Sequence, residues 1–304
     1  TEETTSMYKR KIRDYVVDAV LYILLGIFAF LCLYPFYYIF IYSISNPELA
    51  AKTTITFLPA GFSLATYARL LSKSNIFHAA FISVARTVLG TGLTVFCSAL
   101  FGYLVTKDKL RFRRFFYRAV VITMYLNAGL IPTYILYKKL HLINSFLVYI
   151  LPGAVSGYYV ILIKTYIESL PASLEEAAML DGASHMRSFL SVILPLCKPI
   201  LATVAVFCAV GQWNAWQDNF FYVSSGDLRV LQLELWEMLN SAKALAQAAQ
   251  SGGNIGGLMA QAQQLTPTSV RMTITMITTL PIICVYPFLQ RYFTKGMLIG
   301  AVKG

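Results

Sequence analysis

Pro171-Ala172-Ser173-Leu174-Glu175-Glu176-Ala177-Ala178-Met179-Leu180-Asp181-Gly182-Ala183, running on to Phe189 and closing with Leu194-Pro195 and Pro199, is the most informative stretch of this chain. Ser173 and Glu176 stand in the S-x-x-E relation of a capping box, so a short helix is expected to begin there, with Pro171 just outside it. Gly182, whose φ is unrestricted, is expected to end it. Met186, Phe189, Leu190 and Ile193 then recur at helical spacing, which predicts a second helix with one apolar face, closed by Pro195. An exposed apolar face of that kind marks a binding surface.

Outward from this segment lie long uncharged runs. They cover 19–45, 119–137, 142–163, 199–217 and 272–290, and a sixth, 79–106, is interrupted only by Arg86. Roughly 20 apolar residues cross a bilayer as a helix, so six membrane helices are expected. The composition agrees: 57% of the 304 residues are hydrophobic and 13% charged, which excludes an ordinary soluble protein. The first run is too long for a cleavable signal and lacks a small-residue cleavage site, so it is expected to stay in the mature protein.

Basic residues set the orientation. With the N-terminus in the cytoplasm, the inner side holds Lys9, Arg10, Lys11, Arg13, Lys107, Lys109, Arg111, Arg113, Arg114, Arg118, Lys164, Arg187, Lys198, Arg291, Lys295 and Lys303. The outer side holds Lys52, Arg69, Lys73, Lys138, Lys139, Arg229 and Lys243. The expected organisation is therefore a cytoplasmic tail over 1–15, a six-helix membrane domain over 16–293 and a cytoplasmic tail over 294–304. Its external connections are 46–78, 138–141 and 224–270, and its cytoplasmic loop is 168–199. The 224–270 connection reads as an amphipathic helix over 228–249 followed by Ser251-Gly252-Gly253-Asn254-Ile255-Gly256-Gly257, either a solvated hairpin or a docking element for an external partner.

A net charge of +11 on so apolar a chain suits anionic lipid and acidic partners rather than nucleic acid. The five cysteines lie in apolar stretches without a CxxC pair, and the three histidines occupy separate regions, so neither a disulfide framework nor a metal site is indicated. With no G-x-x-x-x-G-K-[ST] phosphate loop, ATP chemistry falls to another chain, and no enzyme chemistry is read in this one. An ion-coupled secondary transporter generally keeps acidic or histidine residues in mid-membrane, whereas these runs are almost uncharged.

The run Glu176-Ala177-Ala178, Asp181-Gly182-Ala183 and Leu194-Pro195 resembles the EAA loop of bacterial ABC importer permeases, with Val192 where that pattern usually carries Ile. The resemblance implies an all-α integral membrane subunit with the type I importer permease fold, whose two short loop helices dock into a cleft of a cytoplasmic ATPase. Glu176, Ala177, Ala178, Asp181, Gly182, Ala183, Phe189, Leu194 and Pro195 would then be the ATPase-coupling residues. Asn127-Ala128-Gly129-Leu130-Ile131-Pro132-Thr133-Tyr134, Gly211-Gln212-Trp213-Asn214-Ala215-Trp216 and the ending 295–304 look closest to the aldouronate and alginate branch of the maltose-transporter type.

That placement implies import of oligosaccharides, acidic ones first and neutral ones as the alternative, across the bacterial inner membrane. The implied partners are a second permease forming a heterodimer, two ATPase copies that carry ATP and Mg, and an extracytoplasmic solute-binding protein. By the same resemblance the tail, with Gly300, Lys303 and Gly304, reaches the ATPase, and 224–270 probes the binding protein. Sugars are held by amides, carboxylates and aromatic faces, so Gln212, Trp213, Asn214, Trp216, Gln217, Asp218 and Asn219 are substrate-pathway candidates. Helix-to-helix hydrogen bonding or an interfacial aromatic belt would use the same residues. Tyr158, Tyr159 and Asn127 are secondary candidates. Arg86, basic and well inside a run, needs an anion or carbonyl: Asp218, or the passage of an acidic sugar.

Overall fold

The computed structural model describes residues 12–72, 75–250 and 266–301, and these are helical with one isolated antiparallel bridge, Ser45 to Phe62. The chain divides into two compact units, Thr1–Arg69 with Ala242–Ile277, and Leu70–Ser241 with Thr278–Gly304.

In the first unit, α1 (Ile12–Ser43) is apolar around its circumference, and none of its most apolar stretch is buried by protein. Lipid is the natural solvent of such a helix. Its C-terminal part and the residues just after it are tied down by polar bonds. Ser45 Oγ donates to Ile41 O at 2.6 Å and accepts from the Ala60 N–H at 3.2 Å, while Tyr37 Oη donates to Phe57 O at 2.6 Å. Asn46 caps α2 (Pro47–Lys52) by accepting from the N–H groups of Glu48 and Leu49, and α3 (Ala65–Leu71) follows. Ile41, Tyr42, Ala50 and Ile55 form the small core.

The second unit is built on α4 (Ile76–Thr106). Ser83, Gly90, Thr94, Ser98 and Gly102 are buried along one stripe of it, at spacings of four or seven residues. Small residues let neighbouring backbones approach and offer them hydrogen bonds. Thr94 Oγ1 accordingly donates to Gly153 O at 2.9 Å, Ser98 Oγ accepts from the Ser156 N–H at 3.3 Å, and a Cβ on Gly102 would already touch the Lys164 backbone at 3.4 Å. Along this stripe α4 meets α7 and α10, whose ranges follow.

The uncharged runs 119–137 and 142–163, expected as single helices, are each divided. The first becomes α5 (Arg113–Thr123) and α6 (Leu130–Lys139). Asn127 Oδ1 accepts from the Gly129 N–H at 2.9 Å, and Gly129 sits at φ +81°, so the chain leaves and re-enters the helical region there. The second run holds a short 3₁₀ turn, Phe146–Tyr149, and then α7 (Gly157–Glu168) beyond the Pro152-Gly153 break. After the loop helices α8 (Ser173–Leu180) and α9 (His185–Leu196) come α10 (Lys198–Asn214) and α11 (Gln217–Tyr222), separated by an extended Ala215.

The helix expected over 228–249 is α12 (Leu231–Gln250), because Gly226–Leu228 forms a separate 3₁₀ turn. Two side chains take the N–H groups at its start: Asn219 Oδ1 accepts from Val230, and Ser83 Oγ from Leu231, each at 2.8 Å. Arg229 beside it bonds Glu234 at 2.8 Å and Glu237 at 2.5 Å. Burial alone would lower the Arg229 pKa, but the two carboxylates override it and raise it. The glycine-rich tip at 251–257 lies outside the described residues. Last is α13 (Pro267–Ala301).

Among the described residues three helical stretches, Tyr15–Ser43, Ile76–Thr106 and Pro267–Val285, are long and apolar enough to cross a membrane whole. A fourth passes only as the bent pair α9 and α10, which meet at 80°.

Candidate functional site

The loop over 168–199 forms the two expected helices, with corrections to its ends. The capping box does not form. Ser173 is the first helical residue, and the Glu176 N–H donates instead to Ala172 O at 3.1 Å, which moves the cap to Ala172 and leaves the Glu176 side chain exposed. The turn at Gly182 is as expected: φ is +84°, the Gly182 N–H donates to Met179 O and the Ala183 N–H to Ala178 O, both at 3.0 Å. This bond pair is the Schellman ending, which requires a left-handed residue at that position.

In α9 the expected single apolar face is split. The helix widens to π geometry over Phe189–Ile193, and Phe189 and Ile193 turn inward while Met186 and Leu190 stay exposed. Phe189 is fully buried in a cluster with Ala99, Tyr103, Ile163, Ile167 and Val204, its ring 5.0 Å from that of Tyr103. Phe189 is therefore an anchor of the loop. Pro195 does not end the helix, since the bend comes at Cys197. Glu176, Ala177, Asp181, Gly182 and Pro195 are exposed, and Ala178, Ala183 and Leu194 are half-buried. With Leu180, 89% exposed, they give the loop an outer surface of mixed apolar and acidic character.

Sequence reasoning passed over Glu175. Its carboxylate pairs with Lys107 and accepts from Tyr103 Oη at 2.8 Å. The legible signal was the Glu175-Glu176 doublet: adjacent residues point about 100° apart on a helix, so one of the two turns toward the protein when the other faces out.

The second cluster surrounds Arg86, which is 2% exposed. Nη2 donates to Asp218 Oδ2 at 2.5 Å and Nη1 to Asp218 Oδ1 at 3.0 Å, a bidentate pair. The remaining donors reach Ala215 O at 3.1 Å and Gln212 Oε1 at 3.2 and 3.3 Å. The guanidinium also lies 4.5 Å from the centre of the Tyr149 ring. A guanidinium has five N–H donors, and all five are engaged by the protein. The pairing with Asp218 offered by the sequence is thus present, and it holds the break between α10 and α11.

The other pathway candidates separate by environment. Trp213 is buried and donates from Nε1 to Thr278 O at 3.0 Å, and Asn219 is buried under the start of α12, so both bind helices together. Gln212 is held between Arg86 and Tyr149 O. Asn214, Ala215, Trp216, Gln217 and Asp218 line a cavity of about 430 Å³, open to one side. Trp216 stacks on Trp236 with ring centres 4.7 Å apart. Asn127 lies in the α5–α6 turn, Tyr159 packs against the Phe189 cluster and Tyr158 is exposed. Of the tail residues, Gly300 falls within α13, and Lys303 and Gly304 lie outside the described residues.

Residues 4–216 match the family described as binding-protein-dependent transport system inner membrane component. A polygalacturonan/rhamnogalacturonan transport system permease protein of Bacillus subtilis (strain 168) is 31% identical over 294 residues, covering 96% of this chain and 100% of that protein. The protein LplC of the same organism is 32% identical over 289 residues, covering 95% of each. Among solved structures, a chain of a bacterial ABC transporter involved in the import of the acidic polysaccharide alginate superposes with a TM-score of 0.78 at 30% identity, covering 93% of this chain and 99% of that one.

Proposed function

The chain belongs to the family of binding-protein-dependent transport system inner membrane components, and from that premise we propose that it is a six-span permease of an ATP-driven importer of oligosaccharides. It works as a heterodimer with a second permease, carries two ATPase subunits that bind ATP and Mg, and receives sugar from an extracytoplasmic binding protein. Both termini lie in the cytoplasm, as the basic residues require. Two of the six crossings are the divided runs, 119–137 and 142–163. Non-helical backbone at membrane depth is tolerated where it is buried in protein or lines a water-filled cavity.

The observation that carries this reading is the outer surface of the helix–Gly182–helix loop. Its Schellman turn shapes the loop and its buried Phe189 fixes it to the protein, while Glu176, Leu180 and Asp181 stand exposed on its outer side. With the capping role removed, Glu176 serves as the charge that meets a basic residue of the ATPase. ATP binding closes the ATPase pair, and the loop passes that closure to the helices as rigid-body motion.

Acidic oligosaccharides are the first reading of the substrate, supported by the likeness to the alginate importer and to the polygalacturonan permease protein. One observation favours neutral oligosaccharides instead: Arg86 has no donor left for a uronate carboxylate. In either case Asn214, Trp216, Gln217 and Asp218 offer amides, a carboxylate and an aromatic ring to one sugar unit.

The test is retention of the ATPase by purified permease carrying Glu176→Lys or Gly182→Val. Reversing a docked charge costs about 2–5 kcal/mol. Beyond its chain neighbours nothing lies within 4 Å of a Cβ placed on Gly182, so a side chain there acts chiefly through backbone strain of about 1–3 kcal/mol. Both variants are expected to insert and to lose ATPase or coupled uptake. Full retention with normal transport in both would overturn the docking assignment.

A further inference from the structure

The loop touches α4 through two kinds of contact. One is apolar: the rings of Phe189, Tyr103 and Phe96 lie at centre distances of 5.0 and 6.4 Å. Apolar burial is non-directional, so these rings resist separation of the loop from the helix but fix its angle weakly. The other is polar and directional. Tyr103 Oη lies 2.8 Å from Glu175 Oε1 on α8 and 3.1 Å from the carbonyl of His185, the first residue of α9. One buried hydroxyl thus bridges both arms of the loop. Lys107, one residue past the end of α4, pairs with the second oxygen of Glu175 and lies 4.2 Å from the centre of the Tyr103 ring.

The Lys107 and Glu175 side chains are only 19% and 14% exposed. A pair so far removed from water adds little net stability, and its better-attested use is to specify one geometry. α4 then runs without a proline from this cluster to Arg86, about 30 Å away at 1.5 Å per residue. Arg86 grips both sides of the break that lines the cavity, Gln212 on α10 and Asp218 on α11.

We propose that Glu175, Tyr103 and Lys107 form a clamp that makes the loop and α4 one lever, so that movement of the loop is delivered through Arg86 to the cavity at Asn214–Asp218. The three are positioning residues. The proposal rests on the reading of the loop as the ATPase docking element, and it assigns transmission, as distinct from docking, to Glu175.

The experiment uses the complete transporter in proteoliposomes and reads the labelling rate of an introduced Asn214→Cys by a membrane-impermeant maleimide, with and without ATP plus vanadate, which traps ADP in the ATPase after hydrolysis. The chain lacking the introduced cysteine serves as blank. Trapping is expected to alter the rate in the otherwise native chain, and Tyr103→Phe and Glu175→Gln are expected to reduce that response by about fivefold or more, the lower end of ordinary coupling between sites. ATPase attachment is expected to persist in both. Exchanging the charges, Lys107→Glu with Glu175→Lys, is expected to restore the response above either single change. An undiminished response in Tyr103→Phe and Glu175→Gln, or an exchange no better than its singles, overturns the clamp. Loss of the ATPase in Tyr103→Phe also overturns it, by placing the cluster in docking. Retention of the ATPase by Glu176→Lys, measured alongside, strikes instead at the docking reading.

Discussion

Replacing Arg86 by methionine removes the guanidinium and leaves an unbranched apolar side chain in place of its stem. Asp218 loses a bidentate partner, and Ala215 O and Gln212 Oε1 lose the donors they share with it. Breaking a buried ion pair by deleting one member costs about 3–5 kcal/mol. Asp218 is 25% exposed and still accepts from the Asn219 N–H at 2.9 Å, so Arg86→Met belongs at the low end, about 3 kcal/mol, or roughly a hundredfold in the unfolding equilibrium. The reverse deletion, Asp218→Leu, strands a cation at 2% exposure and belongs nearer 5 kcal/mol. The double variant replaces both charges by apolar groups and is expected to recover a large part of the loss, since such replacements are often near neutral. The assay is a double-mutant cycle on the purified permease, by thermal or denaturant unfolding in detergent. Additivity of the two single costs within about 0.5 kcal/mol would refute the pairing as an energetic unit.

Two further outcomes follow from packing. A Cβ at Gly157 would stand 2.7 Å from Met124 Cγ and 2.9 Å from Val120 O; the methionine can move but the carbonyl cannot, so Gly157→Ala is expected to cost about 1–3 kcal/mol in thermal unfolding, whereas Gly211→Ala, with nothing within 4 Å, is expected to be neutral or stabilising. Phe189→Ala empties the centre of the loop anchor and is expected to cost about 3–5 kcal/mol by the same measurement, against about 0.5 kcal/mol or less for Leu190→Ala on the exposed side of the same helix.

What was legible in the sequence was whatever a single helix decides by itself. Gly182 ends α8 because a Schellman turn needs a left-handed residue, and the length and apolarity of α1, α4 and α13 mark them as membrane helices before any packing is known. The divisions of 119–137 and 142–163 were harder to see. They depend on local polar bonds, such as Asn127 to the Gly129 N–H, that an uncharged run conceals from any hydropathy count. The Ser173–Glu176 pattern misled because a helix start can slide by one residue at little cost, and Ala172 took the cap. Arg86 was legible as a residue in need of an anion, and Asp218 as its partner. That Gln212 and Ala215 O would take up every remaining donor was not, because it rests on how α10 breaks.

The division of the central runs bears on how this chain enters a membrane. α5, α6 and α7 are 11, 10 and 12 residues long, so each spans about 15–18 Å, roughly half of a hydrocarbon layer about 30 Å thick. A segment that short cannot partition alone, because its ends would carry unpaired backbone groups into lipid. α1 and α4 can be released sideways from the translocon as they are synthesised. The segments from α5 to α7 are made after α4 and must stay beside it until the backbone of Gly153 and Ser156 emerges to meet Thr94 and Ser98. On this view the order of synthesis matters to the fold: α4 comes first and serves as the template on which the middle of the protein is inserted.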